Sequence, residues 1–129
     1  MNACLGDVEI FSSRENLQQA IGFLIEIFGW KDLGPTESKE EESAAHIIEP
    51  FKNARTRVRI CSLKDEARNI CCMTSFYPRI RVECPLEAIS LIQEWAEEHG
   101  VHWTRWKEQS GDICFRLSIF DHLLVLTKS

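Results

Sequence analysis

The chain holds six cysteines and four histidines, the residue types from which nucleophiles, bases and metal centres are built. Cys114 with His102 or His122 on a neighbouring strand would form a nucleophile–base pair, the imidazole taking the thiol proton. With this many residues of both types, one such pairing is expected by chance. His99 and His102 are three apart but flank Gly100, so they do not share a helix face. His46 and Glu49 lie at odd spacing on one strand and face opposite ways, as do the adjacent Cys71 and Cys72. The sequence contains no CxxC, HExxH, GxSxG or Gly-rich phosphate loop. These residues assign no catalytic group, no metal and no cofactor, and the reading leans away from an enzyme.

Arginine gives the sharper pattern. Strand alternation puts Val8, Ile10, Val58, Ile60, Ile80, Val82, Ile113, Phe115, Leu117 and Ile119 beneath the helices. The opposite sheet face then carries Glu9, Phe11, Arg57, Arg59, Arg79, Arg81, Glu83, Cys114, Arg116 and Ser118. Five of these are arginines, in a chain whose formal net charge is -5. The planar guanidinium fork suits carboxylate and phosphate. Trp103 and Trp106 point to opposite faces of their strand. One packs under a helix and the other, assigned as Trp106, lines the ligand face as an aromatic wall. The candidate ligand-binding set is therefore Arg57, Arg59, Arg79, Arg81, Arg116, Glu9 and Trp106. The alternative is that the arginines only solvate an exposed face and pair with Glu9 and Glu83.

The wider composition fits this reading. Hydrophobic residues make up 44% and charged residues 27% of 129 residues, as in one ordinary globular domain. The acidic balance disfavours nucleic acid, since phosphate binding needs a basic surface. No apolar run reaches the roughly 20 residues that span a bilayer, and residues 1–7 have no basic start or apolar core of a secretory signal. The expected location is the cytoplasm, with no membrane partner. The cysteines in apolar strands are then reduced and structural.

Elements must position the arginines. Val8–Ser12 alternates as a strand. Ser12 and Glu15 have capping-box spacing, and Leu17, Ala20, Ile21, Leu24 and Phe28 form one helical stripe, widened by Ile25 and Ile27 and stopped by Gly29. Pro35–Ser43 is an acidic loop. Strands follow at Ala44–Glu49, Arg57–Cys61 and Ile70–Phe76, with a polar turn at Ser62–Asn69. The order then repeats: a strand at Ile80 and Val82, a helix from Pro85 to about His99 ended by Gly100, and strands at Val101–Lys107, Asp112–Phe120 and His122–Leu126. A shift of 71 residues lays Leu17 on Ala88, Ile21 on Ile92, Leu24 on Trp95 and Gly29 on Gly100; the first strands align with one residue of slippage. The expected fold is α+β, one domain over residues 1–129, with modules at 8–76 and 79–127. A ferredoxin-like βαββαβ sheet with extra edge strands is the runner-up.

The order, with Val8-Glu9-Ile10 leading to Asn16-Leu17, Ala20 and Phe23, the Phe28-Gly29 helix end, and Phe120-Asp121 before Leu123–Leu126, resembles the vicinal oxygen chelate superfamily, the glyoxalase and bleomycin-resistance fold. The resemblance implies two βαβββ modules forming a curled glyoxalase-like sheet with helices outside, and a homodimer. Metal-dependent members take His and Glu ligands from the first and last strand of each module. Carried over, those positions fall near Glu9, among Arg79 and Arg81, on Cys71, Cys72, Met73 and Thr74, and on Leu124 and Val125. Only Glu9 could ligate, so the resemblance is to a divergent member without the metal. The functional expectation is a metal-free binding protein holding a small, anionic ligand or peptide on its Arg-lined concave face. The alternatives are a regulatory module docking an acidic partner and, weaker, a metal-independent lyase or isomerase.

Overall fold

The computed structural model describes residues 8–13, 15–35, 45–50, 58–61 and 79–128. In the first half, β1 is Val8–Phe11, α1 is Leu17–Phe28, β2 is Lys31–Pro35, β3 is Ala45–Glu49 and β4 is Val58–Cys61. In the second, β5 is Arg79–Val82, α2 is Pro85–Glu98, β6 is Trp103–Lys107, β7 is Ile113–Leu117 and β8 is Leu124–Lys128. Each half forms one four-stranded mixed sheet, in the orders β1-β4-β3-β2 and β5-β8-β7-β6. In both, the first and last strands pair parallel and the remaining pairs are antiparallel. The chain is thus α+β, with two βαβββ modules of one topology.

The sequence does not announce β2. Its five residues, KDLGP, contain one leucine, a glycine and a proline, with no alternation. Such a strand persists at a sheet edge, where a missing donor leaves no neighbour unpaired. Ile70–Phe76, expected as the first module's last strand, lies outside the described residues, as do Ser62–Asn69 and 36–44. The first sheet holds its four strands without them.

The expected helices form, with a corrected start for α1. Its N-cap is Asn16, and no side chain caps it. Ser12, the proposed cap, donates its hydroxyl instead to the Ile119 carbonyl at 2.6 Å, across the two modules. The Asn16 N–H finds Ser13 Oγ at 3.2 Å. Both helices stop at a glycine in the left-handed region, Gly29 at φ 68 and Gly100 at φ 65. After Gly100, the Val101 N–H reaches back to the Ala96 carbonyl at 2.8 Å, closing the end of α2 while burying Val101. Pro85 opens α2, where its missing N–H would have no partner anyway.

One core joins both modules. It gathers Ile10, Val58 and Ile60 from the first sheet, and Ile80, Ile113, Phe115, Leu117, Leu124 and Leu126 from the second. Leu17, Ala20, Ile21, Phe23 and Leu24 enter from α1, and Ala88, Ile89, Ile92, Trp95 and Ala96 from α2. Each large apolar side chain buried this way contributes about 1.5–3 kcal/mol. Ile25, read as part of the stripe, is 38% exposed; Phe23, outside the stripe, is wholly buried.

The seam between modules also carries specific polar contacts. The Phe11 carbonyl accepts from the Asp121 N–H at 3.0 Å. The Phe11 N–H donates to His122 Nε2 at 2.9 Å. Among the described residues no helix is long and apolar enough to cross a membrane.

Candidate functional site

In the second sheet, Ile113, Phe115, Leu117, Leu124 and Leu126 turn into the core. Alternation therefore sends Cys114, Arg116, Val125, Thr127, Arg79, Arg81, Thr104 and Trp106 to the other face. The register makes one row of Arg79, Val125, Cys114 and Trp106 across all four strands. Arg81 stands opposite Thr127, and Arg116 opposite Thr104. Trp103, on the helix side, packs near Phe115 with ring centroids 6.4 Å apart, so the two tryptophans of β6 divide as expected.

Two carboxylates organise this face, and neither belongs to the expected set. Asp112 accepts from Arg79 Nη1 at 2.6 Å on one oxygen and from the Thr127 hydroxyl at 2.5 Å on the other. The Thr127 hydroxyl, then the Arg79 guanidinium, hold the Asp112 carboxyl below the usual carboxylate range. Glu108 Oε1 accepts from the Trp106 indole N–H at 3.0 Å and from the Cys114 thiol at 3.6 Å. Burial, and then Glu108, push the Cys114 thiol up. That direction disfavours the thiolate, the form a nucleophilic cysteine needs. His122 does not serve it: both ring nitrogens of His122 engage backbone groups.

The expected arginines divide. Arg57 lies outside the described residues, and Glu9 is placed by its backbone, opposite Arg59 in the first sheet. Arg79 pairs with Asp112 instead of Glu9 or Glu83. Arg81 and Arg116 are exposed and have no hydrogen bond or ion pair among the described residues. They do not share one point. Arg81 aligns with Thr127, whereas Arg116 follows Phe115, which aligns with Leu124. They are separated by at least roughly 10 Å along the strands and by two strand spacings, roughly another 10 Å, across them. Arg79 stands between. Asp112, Thr127 and Glu108 escaped the sequence because their partners depend on the β5–β8 and β7–β8 registers and the β6–β7 turn; the one local signal was the turn Ser110-Gly111-Asp112.

The positions that would hold a metal meet as Glu9 beside Arg59 and as Arg79 and Arg81 beside Val125 and Thr127. The strand next to β1 is β4, so Arg59 takes the place the sequence reading gave to Cys71–Thr74. Arginine and valine offer no lone pair to a cation, and no three His, Cys, Asp or Glu cluster among the described residues. This donor set does not fit a divalent ion.

No protein-family model matches the chain. No curated protein matches it either. Solved structures do. A glyoxalase/bleomycin resistance protein/dioxygenase superfamily member from Sphaerobacter thermophilus is 18% identical, with TM-score 0.62 over 100% of this chain and 99% of that one. TnmS3, an antibiotic binding protein from Streptomyces sp. CB03234, is 15% identical, with TM-score 0.62 over 99% and 98%. A mutant of the fosfomycin resistance protein FosX from Listeria monocytogenes, complexed with Mn(II) and 1S,2S-dihydroxypropylphosphonic acid, is 16% identical, with TM-score 0.60 over 100% and 94%. Matched end to end by these structures and built from the same two modules, the chain has the fold of the glyoxalase/bleomycin resistance protein/dioxygenase superfamily.

Proposed function

We propose that this protein binds a small anionic molecule on the arginine-bearing face of its second sheet, without a metal and without catalysing a reaction on it. The observation that carries the reading is the state of Arg81 and Arg116, exposed and with no side-chain partner among the described residues, on a face where Arg79, Asp112, Thr127, Glu108 and Trp106 are all engaged. An anion held at either guanidinium would gain a charge-assisted hydrogen bond worth about 1.5–3 kcal/mol. Two proteins of the same fold lend support: one is an antibiotic binding protein, and the other was solved with a phosphonic acid.

Thermal-shift titration at low salt tests it, with phosphate, citrate and a dinucleotide as probes. The expected result is a saturable rise in Tm with citrate or the dinucleotide, absent with chloride at equal ionic strength, and at least halved in Arg81→Ala or Arg116→Ala. Identical shifts in wild type and both variants would remove the reading. The distance between Arg81 and Arg116 favours one competitor, docking of an extended acidic partner. A saturable response to polyglutamate with none to the small anions would select it.

We further propose that residues 8–76 and 79–127 form the two modules of one domain, and that two chains associate. Among the described residues, strands β1, β2, β5 and β6 are the sheet edges, and exposed edges are covered in most native proteins. Sedimentation at micromolar concentration is expected to give twice the 14.9 kDa chain mass. A single species at the chain mass would exclude the dimer.

A further inference from the structure

We propose that the ligand of this face is a planar aromatic carboxylate whose ring lies on Trp106 and whose anionic group is taken by Arg116, with Glu108 holding the indole in place. This deepens the anion-binding reading and rests on it. Among the tryptophans, Trp30 packs on Phe28, Trp95 on Phe23 and His99, and Trp103 on Phe115. Trp106 alone has no ring partner among the described residues, and it is the one aromatic side chain among the large exposed hydrophobics there. Trp106 is 38% exposed, and an indole reached by solvent can serve as a stacking platform.

The indole is also held. Its N–H is bonded to Glu108 Oε1, the same oxygen that accepts from the Cys114 thiol opposite it in the register. A ring fixed before the ligand arrives loses little rotamer freedom on binding. Cys114 and Val125, both buried, continue the row beside it.

Charge sets the direction. Arg116 is paired in register with Thr104, two residues from Trp106 on β6. It is therefore the diagonal neighbour of Trp106, roughly 7–8 Å away between Cα atoms and within reach of long side chains. Glu108 stands on the other side of Trp106 along the chain. A ligand lying on the indole thus meets a guanidinium at one end and a carboxylate at the other. An anionic group is drawn to the Arg116 end, where the fork accepts a carboxylate through two parallel hydrogen bonds.

Isothermal titration with three probes tests this: 2-naphthoate, which has ring and charge; 2-naphthol, which has the ring without the charge; and cyclohexanecarboxylate, which has the charge without the aromatic ring. Naphthoate is expected to bind at least tenfold more tightly than either of the others. Trp106→Leu and Arg116→Ala are each expected to lose at least tenfold. Glu108→Ala frees the indole and weakens binding about fivefold, whereas Glu108→Gln retains an acceptor and restores it, as a positioning role requires. Arg105→Ala, on the helix side and bonded to Gln93, changes nothing. These side chains are exposed, and circular dichroism confirms that each variant folds before titration. Cyclohexanecarboxylate binding as tightly as naphthoate, indifferent to Trp106→Leu, would overturn this inference and leave the anion reading standing. Naphthol binding as tightly as naphthoate, indifferent to Arg116→Ala, would overturn this inference too, with the broader reading still decided by the citrate titration. Failure of naphthoate to bind overturns this inference, and the citrate titration then decides the broader reading separately.

Discussion

Phe23→Ala is expected to lower the stability of the chain by about 3–5 kcal/mol, the cost of emptying a buried aromatic site. Phe23 is wholly buried, and three rings meet it edge to face: Phe28 at 5.8 Å, Trp95 at 5.1 Å and Phe120 at 5.6 Å between centroids. They come from α1, α2 and the turn between β7 and β8, so the missing ring would loosen three elements and both modules together. Rigid neighbours cannot close such a hole from every side, which places the cost toward the upper end. Against a total stability of roughly 5–15 kcal/mol the loss is large. At about 4 °C per kcal/mol, Tm should fall by roughly 12–20 °C. Urea unfolding followed by circular dichroism measures it, with Leu86→Ala as the control. Leu86 is 77% exposed, so its removal should change stability by no more than about 0.5 kcal/mol. A Phe23→Ala cost as small as that of Leu86→Ala would mean that the cluster does not join the modules.

The same residue shows where the sequence was readable and where it was not. A 3.6-residue stripe through Leu17, Ala20, Ile21 and Leu24 located α1 and its buried side, because the period alone marks which side of a helix is apolar. Phe23 and Ile25 flank that stripe and look alike in sequence. Phe23 is buried because the second module reaches over it with Trp95 and Phe120, and nothing comparable covers Ile25. Ser12 repeats the lesson. It reads as a local cap, but a carbonyl from the other module competes for its hydroxyl and wins. Alternation likewise separated the core side chains Ile10, Ile60, Ile80 and Phe115 from the arginine-bearing face. It could not say which strand lies beside which. Pairing β5 with β8 sets Asp112 and Thr127 beside Arg79 and spreads Arg81 from Arg116, and parallel pairing between distant segments leaves no local mark. Faces were legible from period, whereas partners required the register.

His122 should make the protein sensitive to mild acid. Its Nε2 accepts the Phe11 N–H at 2.9 Å, so that nitrogen carries no proton, and Nδ1 lies 3.0 Å from the Leu123 carbonyl, to which it donates. The ring is buried between Phe120, stacked at 5.9 Å, and Phe11, edge-on at 6.2 Å. Burial lowers its pKa below the ordinary histidine value, only partly opposed by the Leu123 carbonyl and the Asp121 carboxylate. The sign follows from linkage. Above about pH 6.5 both folded and unfolded chains hold the ring neutral and the stabilisation is complete. As pH falls below that value the unfolded chain takes up a proton that the folded chain refuses, so stability declines until the folded value is passed. Protonating Nε2 would also turn an acceptor into a second donor facing the Phe11 N–H, breaking the clasp between β1 and the second module. In His122→Ala the stranded Phe11 donor alone costs about 1–3 kcal/mol, and the variant should lose the part of the acid response that belongs to this ring. His122→Gln supplies a non-titrating side chain and should flatten the same part of the profile at a smaller cost. Urea midpoints measured from pH 5 to pH 8 on the three proteins separate this contribution from the other histidines, which are unchanged among them. Parallel profiles in wild type and both variants would show that His122 does not couple the modules to pH.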